Sequence, residues 1–122
     1  MLPAGAAKLM LHVGETTIGV PFSRAQADQL DSAIKQLLTT FAEKQKAERP
    51  RRWEMMEVRF KGDPAAAGGI DLLEVFCNPN AHATAFEAKL LVTIKAGDVS
   101  VTTEGRLSAF KADLDNYLAT AP

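Results

Sequence analysis

The stretch AKLLVTIKAGDVSVTTEGRLSAFKADLDNYL, Ala88 to Leu118, changes its apolar period once, and that change constrains the fold more than any other feature of the chain. Phe86, Ala88, Leu90, Val92 and Ile94 occupy alternate positions with Glu87, Lys89, Thr93 and Lys95 between them, the pattern of a strand with one buried face. Ala96-Gly97-Asp98 supplies a turn, and Val99 and Val101 resume the alternation. From Leu107 the step becomes three then four, through Phe110, Leu114, Tyr117 and Leu118, which gathers those side chains on one face of a helix. The stretch reads as strand, turn, strand, helix.

The N-terminal part follows the same order, from Ala7 onward. AKL at 7–9 matches AKL at 88–90, Ile18 and Val20 match Val99 and Val101, and Leu30, Ile34, Leu37 and Leu38 match the apolar face of the later helix. An internal repeat of a hairpin followed by a helix is therefore expected. Gly14-Glu15 suits a two-residue turn whose first position needs positive φ, cheap only for glycine. Pro21 has no N–H for a ladder, which puts its strand at an edge or at its end. Ser23 with Gln26 three residues on is a capping-box signature, so a helix starts near Arg24. Ala27, Leu30, Ile34, Leu37, Leu38 and Phe41 form its buried stripe, and Pro50 ends it at or before Arg49.

The middle of the chain has a different texture. WEMMEVRF (53–60) places Met56, Val58 and Phe60 on one face and Trp53 and Met55 on the other, and IDLLEVFC (70–77) is likewise apolar on both faces. Such strands are expected in the interior of a sheet covered on both sides. Between them KGDPAAAGG reads as a connection whose turn starts at Asp63-Pro64, and CNPNAHAT as a loop. The fold expected is α+β: one domain over 1–122, with a six-stranded, mostly antiparallel sheet and two amphipathic helices in the order ββα-ββ-ββα. A chain of 122 residues with 47% apolar content builds one core and not two comfortable ones.

Two helical stripes suffice for one side of six strands, and short connections favour packing both on that side. The other side would then carry Met10, Trp53, Met55, Leu73, Val75 and Leu91 without cover. A monomer seldom leaves such a surface in water, so this face is expected to bind protein, most simply a second copy across a two-fold axis, with Trp53 at its centre.

Charge supplies the competing expectation. The net charge is −1, so the whole-molecule field does not favour nucleic acid. Locally, however, Lys44, Lys46, Arg49, Arg51 and Arg52 face only Glu43 and Glu48, and Arg59 and Lys61 extend the run along a strand. A nucleic-acid or anion patch at Arg49, Arg51, Arg52, Arg59 and Lys61 is the alternative. The plainer account is cations offsetting a helix C-terminus, with Trp53 the sole aromatic ring adjoining them.

Chemistry-bearing residues are sparse. Cys77 and His82 flank Asn78-Pro79, but two ligands do not make a structural zinc site and only distant His12 is left to join them. Cys77 reads as an apolar strand residue, and the one cysteine excludes an internal disulfide. Glu54 and Glu57, like Asp71 and Glu74, are three apart and point to opposite faces of a strand, so neither pair is a catalytic dyad. Glu74 on an inner strand needs a cation, and Arg59 or Arg52 is in reach. No phosphate-cradling glycine pattern occurs. The sequence thus predicts no enzyme, cofactor, metal or small-molecule substrate. No membrane span or secretory signal is read, and the expected location is the cytoplasm, or an organelle if a transit peptide has been removed. In outline the strands and C-terminal helix resemble the COMM domain, and the hairpin-helix duplication resembles the PUR and Whirly nucleic-acid-binding folds. No diagnostic residue is shared with any of them, so no function is carried over.

Overall fold

A computed structural model describes residues 8–62 and 70–120. The elements run β1 (Lys8–Val13), β2 (Thr16–Pro21), α1 (Arg24–Lys46), β3 (Met56–Lys61), β4 (Leu72–Cys77), a 3-10 turn at Pro79–Ala81, β5 (Lys89–Ala96), β6 (Val99–Arg106) and α2 (Leu107–Thr120). This is the expected element order. The turn read at Asp63-Pro64 lies outside the described residues.

Most local signals act as the sequence predicts, but Phe86, expected at the start of the buried face of β5, precedes that strand and is 73% exposed. Gly14 and Gly97 both sit at φ +60, and no other residue type among those described has positive φ, so each two-residue turn bends on its glycine. Ser23 caps α1: its hydroxyl accepts the Gln26 N–H at 3.1 Å, and the Gln26 side chain accepts the Ser23 N–H at 3.0 Å. Helix α1 buries Ala27, Leu30, Ile34, Leu37 and Phe41, and α2 buries Leu107, Phe110, Leu114 and Tyr117.

The sheet is not one but two. β1 and β2 form a two-stranded hairpin, while β3-β4-β5-β6 form a four-stranded antiparallel sheet in sequence order. β1 does not continue the larger sheet because α2 lies along it: Asp113 Oδ2 accepts the His12 backbone N–H at 2.8 Å. Toward β6, Val13 packs over Gly105 instead of pairing with it, its methyls 3.7 Å from where a Cβ would stand. The two hairpins also differ in strand length, six residues against eight.

Register fixes which side of the larger sheet is covered. Val58, Val75 and Val92 stand abreast, as do Phe60, Leu73 and Ile94. All are buried and join the helix residues in one core. Each large side chain buried this way stabilises by roughly 1.5–3 kcal/mol before ordering is charged. The helices run antiparallel, with Arg24 Nη1 donating to the Leu118 carbonyl at 3.2 Å and Lys111 of α2 3.9 Å from Asp31 of α1. Phe22 joins the layers: its ring meets Phe60 edge-on at 5.3 Å and Tyr117 at 5.8 Å, and its carbonyl accepts the Tyr117 hydroxyl at 2.6 Å.

Three expectations are corrected here. β3 is an edge strand and not an interior one, because among the described residues its only hydrogen-bonded neighbour is β4. Leu73 and Val75 belong to the helix-covered face, fully buried at 0% exposure, because their cross-strand partners are Phe60 and Val58. Trp53 precedes β3 and is 7% exposed, closed over by its own chain. Among the described residues no helix is long and apolar enough to cross a membrane.

Candidate functional site

The side of the four-stranded sheet turned away from the helices is the candidate site. Alternation along each strand turns Glu57, Arg59 and Lys61 of β3, Leu72, Glu74 and Phe76 of β4, Lys89, Leu91, Thr93 and Lys95 of β5, and Ser100, Thr102, Glu104 and Arg106 of β6 toward it. Phe76 stands directly opposite Leu91, with Glu57 outside Phe76 and Glu104 outside Leu91. The face thus has an apolar centre between acidic flanks. Leu91 is 37% exposed and Phe76 partly buried.

Charges around that centre are paired. Arg59 Nε donates to Glu74 Oε2 at 2.6 Å from the position directly opposite, and Arg59 Nη2 lies 3.0 Å from Glu57 Oε1. This is the cation that an inner-strand glutamate required. Lys89 lies 3.7 Å from Glu104 across β5 and β6. A hollow of about 220 Å³ opens at one end of the face, lined by Phe76, Asn78, His82, Lys89, Leu91 and Glu104.

Of the six residues expected to form a docking face, the structure leaves three accessible: Leu91 on this face, Met55 (45% exposed) just before β3, and Met10 (44%) on the separate hairpin. Trp53, Leu73 and Val75 are withdrawn into the protein. The sequence reading overlooked Phe76, although its alternation with Glu74 and Leu72 was available as a signal.

The Asn78–His82 loop is built as a brace. The Asn80 side chain accepts the Trp53 N–H at 2.7 Å and donates to the Trp53 carbonyl at 2.8 Å. Asn78 Oδ1 accepts the Asn80 N–H at 3.0 Å, and Lys44 Nζ donates to the carbonyls of Pro79, at 2.9 Å, and His82. The Arg51 guanidinium stacks 3.9 Å above the Trp53 ring. The basic run is therefore partly committed: Lys44, Arg51 and Arg59 hold intramolecular partners, while Arg49, Arg52 and Lys61 are exposed.

Cys77 faces the core, and burial pushes its thiol up to about 11, which disfavours the thiolate a nucleophile or metal ligand needs. Among the described residues no three His, Cys, Asp or Glu side chains converge on a point that would hold a metal ion. Comparison of the chain with protein-family models, with curated proteins and with solved structures returns no match.

Proposed function

We propose that this protein is a non-catalytic interaction module that docks another protein on the uncovered face of its four-stranded sheet. One observation carries the reading: both helices pack on one side of the sheet, and on the other Phe76 and Leu91 meet side by side within a ring of paired charges. An apolar centre with a polar rim is the anatomy of a protein-docking surface. The ion pairs hold the rim charges in place before a partner arrives, which lowers the ordering cost of binding. The basic segment supports nucleic-acid binding less well, because Lys44, Arg51 and Arg59, three of its seven cations, already hold partners within the chain.

The test is cross-linking in native extract followed by mass spectrometry, comparing the natural chain with Leu91→Glu. Cross-links from Lys61, Lys89 and Lys95 to one partner should be lost in the variant while its circular dichroism is unchanged. A partner retained at full yield by Leu91→Glu contradicts the reading.

A further inference from the structure

Among the described residues the larger sheet has two edge strands, β3 and β6; β6 is exposed over Val99–Thr102 and approached by Val13 only near Gly105, whereas the outer edge of β3 is unmatched along its length. In the hairpin, α2 flanks β1, and β2 ends on Pro21, which has no N–H to offer. On β3 the Gly62 N–H donates to the Asp71 carbonyl at 2.9 Å, which sets the phase of the ladder. Because antiparallel pairs alternate between bonded and non-bonded, the backbone groups of Met56, Val58 and Phe60 turn toward β4 and those of Glu57, Arg59 and Lys61 turn outward.

We propose that a second copy of this chain pairs with that edge, β3 against β3 antiparallel, about a two-fold axis through Val58. The sequence of the strand, MEVRFK, selects both partner and register. With the axis at Val58, Glu57 lies opposite the partner's Arg59 and Arg59 opposite the partner's Glu57, at the positions where both residues turn their N–H and C=O groups outward. The outward backbone groups are then bonded at the same pairs that set opposite charges abreast, each Arg59 keeping its own Glu57 and Glu74 contacts while it faces the partner's Glu57. An axis through Glu57 sets the two Glu57 side chains face to face, and one through Arg59 does the same to the arginines; like charges directly opposite are destabilising. An axis between residues pairs side chains from opposite faces and exposes the core row. Edge strands are usually blunted by charge, but charges that alternate in sign blunt every partner except a complementary one, and this strand complements itself.

The groove beside this edge has the right place for such a partner. It measures about 250 Å³ and is lined by Ala33, Gln36 and Thr40 of α1 above Met55–Val58, so α1 leaves this edge of β3 open to an incoming strand. The joined sheets would present two copies of the Phe76–Leu91 face side by side. This pairing goes beyond the face reading, which requires Leu91 and Phe76 but not the β3 edge.

Light scattering on the eluting full-length chain, from micromolar to submillimolar concentration, tests it with six samples. The natural chain should dimerise, and Glu57→Arg and Arg59→Glu should each weaken dimerisation by about tenfold or more, since each sets like charges opposite one another twice. An equimolar mixture of the two variants should recover a heterodimer, because every facing pair is again complementary. Glu57→Pro removes an outward N–H without touching the β4 ladder and should be a folded monomer, which covers the case in which Arg59→Glu fails to fold. A natural chain that stays monomeric, or a dimer that survives both Glu57→Arg and Glu57→Pro, overturns the proposal. A dimer that survives these but is lost in Leu91→Glu moves the contact to the sheet face, leaving the docking reading intact without the edge.

Discussion

Asn80 and Trp53, 27 residues apart, are joined by a side-chain amide that takes both backbone groups of the tryptophan, N–H to Oδ1 at 2.7 Å and Nδ2 to the carbonyl at 2.8 Å. The amide acts as a one-residue strand, holding the chain in place just before β3. Each bond contributes about 0.5–1.5 kcal/mol, and a part-buried group left unpaired adds to the loss. Asn80→Ala should therefore cost about 2 kcal/mol in urea unfolding. Asn80→Asp, which keeps the acceptor but turns a carboxylate oxygen toward the Trp53 carbonyl and Asn78 Oδ1, should cost at least as much.

Gly62 tolerates no side chain, for a reason of space and not of φ. A Cβ there would stand 1.6 Å from the Ile70 carbonyl oxygen. Backbone would have to move, so Gly62→Ala should destabilise by about 3 kcal/mol or more. Gly14→Ala is a useful contrast, because nothing lies within 4 Å and only its φ of +60 opposes the change. About 1–2 kcal/mol is expected there. Thermal unfolding of the two variants measures the difference.

Tyr117 couples stability to alkaline pH. Burial pushes its hydroxyl up from the ordinary 10.0, against a smaller opposing influence of Arg24, and its proton is held on the Phe22 carbonyl. The unfolded chain loses this proton first as pH rises. The contribution is therefore complete below pH 10 and declines above it. Tyr117→Phe should cost about 1 kcal/mol at pH 7 and flatten that decline. Unfolding of both chains from pH 8 to 11 checks the sign.

Cys77 should be chemically quiet in the folded protein. With its thiol raised from 9.0 to about 11, the thiolate fraction at pH 8 falls about a hundredfold below that of a free cysteine, before steric exclusion is counted. Ellman's reagent should react slowly with the native chain and promptly after denaturant is added. Fast native labelling would contradict the packing around β4.

What could be read from the sequence was what neighbours along the chain determine. The Ser23 cap, the Gly14 and Gly97 turns, the apolar stripes of both helices and the Arg59–Glu74 partnership all follow from spacing or from one missing charge. The phase of β4 did not follow, because Leu72, Leu73, Val75, Phe76 and Cys77 offer apolar groups to both sides. Only pairing with Phe60 and Ile94 decides that Leu73 is the buried one. The division into two sheets depends on Asp113 reaching the His12 N–H across 101 residues, and the enclosure of Trp53 depends on Asn80. Three of the six expected docking residues were misplaced for these reasons, and Phe76 was overlooked.

Residue-resolved amide exchange of the full chain at two concentrations, tens of micromolar and about a millimolar, tests most directly whether this fold leaves an edge open for assembly. The Glu57 and Arg59 amides should exchange freely in the dilute sample and become protected in the concentrated one, while those of Val58 and Phe60, already paired to β4, stay slow in both. Glu57 and Arg59 amides that exchange equally fast at both concentrations would contradict it.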